Sequence, residues 1–316
     1  MATFITCRLA NSRAAHHRNS LAVVVVGFLL FSLLATATAW AERPRRPRPP
    51  VLSRTLTVLT LNLRAHLDSP RIRELAIAAY LRRTKPDVVI FQEVAPPAAA
   101  QAQRVLPKGY AVAHRQNPDT GRGLAIATRH ALVDSESVVL PGRGRPALGA
   151  TIRVRDLQFA VVNVHLSPEL TAVKRRQAEL TSALAFLDRL RGTGHGFIGG
   201  DMNFGDGAPE DALLRRCTDA FRSRHRRLPG FTWDVKKNAL AKNNGYASEP
   251  SRRLDRICSI GAWRVRQAAV VLTKVLPRPK GAPADGPRLH PSDHFGLSVH
   301  LQPLRLPSKK TTRRRR

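Results

Sequence analysis

Side chains able to hold a hard metal ion or move a proton recur in this sequence at one kind of place, the end of an apolar run. Asn62 follows "LTL", Glu93 follows "VVIFQ" and His165 follows "AVVNV". Asp201 and Asn203 follow "FIGG", Asp255 opens "DRICSI", and Asp293 and His294 precede "FGLSVHL". Carboxylates, amides and imidazoles are the groups that attract oxygen-seeking cations and relay protons to and from water. Singly, each has a plainer account: an Asx turn at Asn62, a loop cap at Glu93, an ion pair for Asp255 between Arg253 and Arg256. The repetition argues for one acidic, histidine-containing cleft, because independent coincidences multiply.

"GGDMNFGDG" (199–207) tests that argument. A calcium loop starting at Asp201 would need an oxygen ligand at its fifth position, glycine at its sixth and glutamate at its twelfth. The sequence has Gly205, Asp206 and Ala212 there, so the register fails. A plain turn does not explain paired glycines directly before an acid. Those glycines are expected to let the backbone approach a phosphate closely, and Asp206 is expected to be incidental.

The elements that must carry these residues alternate between strand and helix. "RTLTVLTLNL" alternates as a strand, with Leu56, Val58 and Thr60 on one face, and "RIRELAIAAYLRR" has helical apolar spacing ended by Pro86. "DVVIFQE" is a short buried strand, and further strands are expected at 110–115, 123–128, 148–155 and 158–165. A long helix opens at Pro168, followed by strands at "HGFIGG", "RLDRICSI" and "HFGLSVHL". Hairpin and helical connections together predict mixed sheets covered by helices.

At this point the chain resembles the endonuclease/exonuclease/phosphatase superfamily of metal-dependent phosphodiesterases. The resemblance rests on "LNLR", "FQEV", "VVNVHLS", "GGDMNF", "RLDRI" and "PSDHFGL", in the family's order across most of 55–302. "FQEVAPP", "HLSP" and "FTWDVKKNALAKNNG" look closest to the tyrosyl-DNA phosphodiesterase branch, while Thr-Trp-Asp segments also look like those of neutral sphingomyelinases. The implied fold is a four-layer α/β/β/α sandwich of two mixed sheets flanked by helices. The implied metal ligands are Asn62, Glu93 and Asp293, holding Mg²⁺ or, in its place, Mn²⁺. The implied catalytic residues are His165, Asp201, Asn203, Asp255 and His294. Asp201 would activate water and Asn203 would hold phosphate or that water. His294, polarised by Asp255, would stabilise the transition state while His165 binds the same phosphate.

Composition bounds the setting. The chain has 316 residues, 43% of them hydrophobic, and 53 Lys+Arg against 22 Asp+Glu leave a formal charge of +31. Such a field attracts polyanions, with nucleic acid as the leading partner and anionic phospholipid as the alternative, though solvated arginine is an equal account of it. Residues 1–41 read as a signal peptide, with basic residues before an uncharged run from Leu21 and Ala39-Trp40-Ala41 at its end. Cleavage would export the protein; a retained membrane anchor is the lesser reading. Residues 42–50 ("ERPRRPRPP") read as an extended linker, 51–304 as one catalytic domain acting as a monomer, and 305–316 as a basic tail. Cys217 and Cys258 would then be one disulfide or two separate buried thiols. A sphingomyelinase-type enzyme and a catalytically silent binding protein are the competing functions.

Overall fold

A computed structural model describes residues 55–64, 70–118, 120–243, 246, 248–278 and 288–304. The expected signal peptide, linker and basic tail lie outside the described residues. In chain order the elements begin with β1 (Leu56–Asn62), α1 (Pro70–Thr84), β2 (Val88–Val94), α2 (Ala98–Val105), β3 (Ala111–Gln116) and β4 (Gly123–Thr128). β5 (Ala131–Val139), β6 (Pro146–Val154), β7 (Leu157–His165), α3 (Val173–Arg191) and β8 (His195–Asp201) follow. The last are α4 (Asp211–Leu214), β9 (Thr218–Asp219), α5 (Ala220–Arg224), α6 (Ala239–Lys242), β10 (Asp255–Ile260), β11 (Trp263–Val271) and β12 (Gly296–Pro303).

The strands form two six-stranded sheets, ordered β11-β12-β1-β2-β4-β3 and β5-β6-β7-β8-β10-β9. Each sheet has one parallel pair at its centre, β1 with β2 and β7 with β8, and antiparallel neighbours around it. Helical crossovers α1 and α3 join those parallel pairs, as parallel strands require. The alternation expected in β1 is observed. Leu56 and Val58 enter the core between the sheets with Ile90, Phe197 and Ile257, whereas Leu59 and Leu61 pack outward with Ile77 and Leu81 of α1. On the other sheet, Val162 and Ile198 meet Leu180, Leu184 and Leu187 of α3. The layers are therefore α/β/β/α, as expected. Among the described residues no helix is long and apolar enough to cross a membrane.

Two polar devices fix how these layers meet. Between the sheets, Gln92 Nε2 donates to Asn163 Oδ1 at 2.7 Å, and Asn163 Nδ2 donates to the carbonyls of Phe91 (2.8 Å) and Ala125 (3.0 Å). This joint lies where the β2–β4 register slips between Phe91 and Val94. Behind β10, Arg253 and Arg256 turn away from Asp255 and gather Asp206, Asp211 and Asp219. Arg222 also binds Asp206. Asp206 is thus a clamp on the 203–207 loop, which corrects its reading as incidental.

Other expectations also change. The long helix begins at Val173, not Pro168, because Arg176 donates to the carbonyls of Ser167 (3.1 Å) and Leu170 (3.3 Å), folding 167–172 into a loop. The strands and helices expected from the sequence do not include β5, β11 or α2. β5 is an edge strand whose residues are mostly exposed. Cys217 and Cys258 form a disulfide with Cα atoms 5.6 Å apart.

Burial favours the neutral form of Asp206, but the hydrogen bonds from Arg222 and Arg253 outweigh it and hold the carboxyl below the ordinary range. Such a group stabilises the fold above the unfolded pKa and loses its contribution as pH falls through the lower folded pKa. Asp206→Asn should therefore cost about 2–3 kcal/mol in urea unfolding at pH 7. The gap from wild type should narrow only below about pH 4. Equal stability of the two proteins at pH 7 would remove the clamp role.

Candidate active site

The two parallel strand pairs end side by side, and their last residues carry the chemistry. Asn62 ends β1, Glu93 lies one residue from the end of β2, His165 ends β7 and Asp201 ends β8. β10 runs antiparallel to β8 and so begins at the same edge, with Asp255 directly opposite Asp201. Asp293 and His294 come just before β12, which runs antiparallel to β1. All eight residues expected from the sequence reach this edge. Six of them, Glu93, His165, Asp201, Asn203, Asp293 and His294, line a cleft of about 310 Å³, while Asn62 and Asp255 are buried and reach it through their hydrogen bonds to Asp201 and His294.

Hydrogen bonds order the group. His294 Nδ1 meets Asp255 Oδ2 at 2.9 Å, and its other ring nitrogen lies 3.7 Å from Asp201 Oδ2. Asn62 Nδ2 donates to Asp201 Oδ2 (3.0 Å) and to Glu93 Oε1 (3.3 Å), bridging the two sheets. His165 Nε2 sits 3.7 Å from Asp201 Oδ2 and 3.9 Å from Glu93 Oε1. The Asn203 backbone N–H donates to Asp201 Oδ1 (3.0 Å), and its side chain donates to the Leu166 carbonyl (2.8 Å). Arg64, Glu93 and Asn203 all have left-handed backbone, with φ of 49°, 49° and 55°. Non-glycine residues hold that conformation only where their surroundings enforce it, and it clusters at functional sites.

Burial and charge separate the two histidines. Burial pushes His294 towards neutrality, but Asp255 and Asp201 overcome it and lift its pKa to about 10. Burial, reinforced by Arg145, His294 and Arg122, holds His165 well below the ordinary value. Burial raises Asp201 to about 6; His294 pulls it down and Asp255 pushes it up. The site therefore pairs a charged imidazole with a neutral one, beside a carboxyl that titrates near neutrality.

The carboxylates and amide here are hard oxygen donors, and Asp201, Asp255, Asp293 and Glu93 bring negative charge to one edge. Such a donor set suits a small divalent cation. Asp201, Asp255 and His294 also present ligand atoms within 4.8 Å of one another. A charged His294 already bonded to Asp255 has no lone pair for a metal, so the oxygen set of Asn62, Glu93 and Asp293 fits the ion better.

Several residues that shape the site escaped the sequence reading. Thr232 Oγ1 accepts the N–H groups of Leu254 and Asp255, and Phe295 N–H donates to the Thr232 carbonyl. Asn238 donates to the carbonyls of Ser292 and Asp293, and the Trp233 ring lies 5.1 Å from that of His294. The "FTWDVKKN" segment is thus the brace that sets Asp255 against His294. Ser292 is fully buried and donates to the Asn62 carbonyl at 2.6 Å, tying the approach to β12 to the end of β1. Arg64, Arg122 and Arg145 line the cleft, a feature lost in the sequence among so many other arginines. The paired glycines also have a different role from the one expected. A Cβ on Gly200 would lie 2.1 Å from the Val164 carbonyl, and one on Gly199 would lie 2.7 Å from Ile90. They permit close strand and sheet packing, not approach to phosphate.

The sequence profile of the Endonuclease/Exonuclease/phosphatase family matches residues 59–294. A search of curated proteins finds no match. Among solved structures, TDP2 from D. rerio complexed with single strand DNA product superposes with a TM-score of 0.65 at 19% identity, covering 78% of this chain and 98% of that one. Truncated TDP2 from Caenorhabditis elegans gives 0.65 at 18% identity, covering 80% and 100%. A mannosyl-6-phosphatase from Bacteroides thetaiotaomicron gives 0.63 at 22% identity, covering 78% and 99%. At these identities the likeness concerns the fold. With its profile matched across the whole core, the chain belongs to the endonuclease/exonuclease/phosphatase family, hydrolases that act on phosphoester bonds.

Proposed function

We propose that this protein is an exported, Mg²⁺-dependent phosphodiesterase that hydrolyses nucleic acid by direct attack of water. The observation that carries this reading is the chain Asp255–His294–Asp201, a charged imidazole held between a buried carboxylate and a carboxyl titrating near 6. A carboxyl with that pKa can take a proton from water near neutral pH. Asp201 is the base, and Asn203, whose own N–H fixes the Asp201 carboxylate, holds the phosphate or the attacking water. His294 keeps its proton and lends positive charge to the pentacovalent transition state, and Asp255 maintains that charge. His165, neutral, binds the phosphate by hydrogen bonding. Arg145 lies on the same wall and adds a cation for a phosphate oxygen.

Asn62, Glu93 and Asp293 would hold the metal, with Mn²⁺ able to replace Mg²⁺. When bound, the ion would neutralise phosphate oxygen charge and stabilise the leaving oxygen.

Nucleic acid is favoured because the arginine-lined cleft sits in a chain of formal charge +31. Family relatives include a TDP2 complexed with single strand DNA product, which supports the same reading. Export is supported by the apolar run from Leu21 before Ala39-Trp40-Ala41, and by the Cys217–Cys258 disulfide, a bond suited to an oxidising compartment. In this reading residues 51–304 are the catalytic domain and the enzyme acts as a monomer.

Plasmid DNA, RNA, sphingomyelin and a phosphotyrosyl oligonucleotide, each incubated with the purified mature protein and Mg²⁺, test the substrate. Nicking of plasmid is expected; release of choline phosphate would replace this reading with a phospholipase one, and salt-sensitive binding without turnover with a binding protein. EDTA should abolish activity and Mg²⁺ or Mn²⁺ restore it, whereas full activity after rigorous metal removal refutes the metal assignment. Asp201→Ala and His294→Ala should each lower kcat by about 100-fold or more with circular dichroism unchanged. Turnover close to wild type in either variant would sink the corresponding role. The base acts deprotonated and the imidazole protonated, so kcat/KM should fall below about pH 6 and above about pH 10. An acid limb that persists unchanged in Asp201→Glu and Asp201→Ala would assign it elsewhere.

A further inference from the structure

Arg122 stands on the connection between β3 and β4, flanked by Gly121 and Gly123, and points its guanidinium into the cleft. Its Nη1 lies 3.0 Å from Glu93 Oε2, while Glu93 Oε1 accepts from Asn62. Both oxygens of the main proposed metal ligand therefore already face donors. The Arg122 side chain is 36% exposed and Glu93 15%, so the arginine is the partner free to swing and the glutamate the one held in place.

A guanidinium and a divalent cation compete for the charge of one carboxylate, and their like charges repel across a few ångströms. Arg122 also lines the cleft with His165 and Arg145, the side from which a phosphate would be bound. We propose that Arg122 is the counter-ion of Glu93 until a divalent cation displaces it. The released guanidinium then engages a substrate phosphate, so metal and phosphodiester bind cooperatively. This rests on the reading of Glu93 as a metal ligand. Each ligand favours the state in which Arg122 has left Glu93, and linkage makes the effect reciprocal.

The test measures Mn²⁺ binding to the purified mature protein directly, by electron paramagnetic resonance of the free ion, without relying on turnover. Arg122→Gln should bind Mn²⁺ roughly five- to tenfold more tightly than wild type, and Arg122→Lys should fall between them. A phosphorothioate oligodeoxynucleotide should tighten Mn²⁺ binding to wild type, and this gain should largely vanish in Arg122→Gln. Equal or weaker Mn²⁺ binding by Arg122→Gln overturns the counter-ion role. Tighter binding with the oligonucleotide effect intact overturns the hand-over to phosphate. Glu93→Gln is the control: if it binds Mn²⁺ as wild type does, the metal reading of Glu93 itself fails.

Discussion

The hydrogen bond between Gln92 and Asn163, 2.7 Å long and wholly buried, is the joint on which the rest depends. It crosses the apolar space between the sheets, where an unpaired amide would be costly and a paired one permits little sliding. Gln92 directly precedes Glu93, and Asn163 lies two residues before His165. Aligning those two amides therefore aligns the strand ends that carry the chemistry. The neighbouring slip in the β2–β4 register and the left-handed backbone at Glu93 turn that carboxylate out of the sheet and into the cleft.

Charge organisation follows from this placement. Four acidic side chains gathered at one edge bring mutual repulsion. His294 opposes it at Asp255 and Asp201, and Arg122 does so at Glu93. A second group of ions, Asp206 with Arg222, Arg253 and Arg256, lies behind the site and holds the loop that follows Asp201. Residues of one short segment thus serve two ionic clusters: Asp255 meets His294, while Arg253 and Arg256 meet Asp206.

Much of this was legible before any coordinates. Apolar runs that end in a functional side chain are a local pattern, and strand alternation placed Leu56 and Val58 correctly in the inter-sheet core. Elements with weak apolar patterns were not legible. β5 exposes most of its residues, and β11 alternates only over Trp263–Arg266 before a bulge between Val265 and Gln267 breaks its period. The role of Asp206 was hidden for a different reason: its partners lie 16 to 50 residues away, at Arg222, Arg253 and Arg256.

The sequence by itself determined which residue types stand at the ends of the central strands, and hence the kind of chemistry they can do. It also determined the layered fold, because the period of apolar residues dictates which face of each strand or helix is buried. Only the tertiary structure decided which histidine carries charge, since that depends on Asp255 lying 2.9 Å from His294 while His165 faces Arg145 and Arg122. It alone decided that the paired glycines serve packing and that Cys217 meets Cys258. Those outcomes depend on distances between residues far apart in the chain, and sequence spacing does not encode such distances.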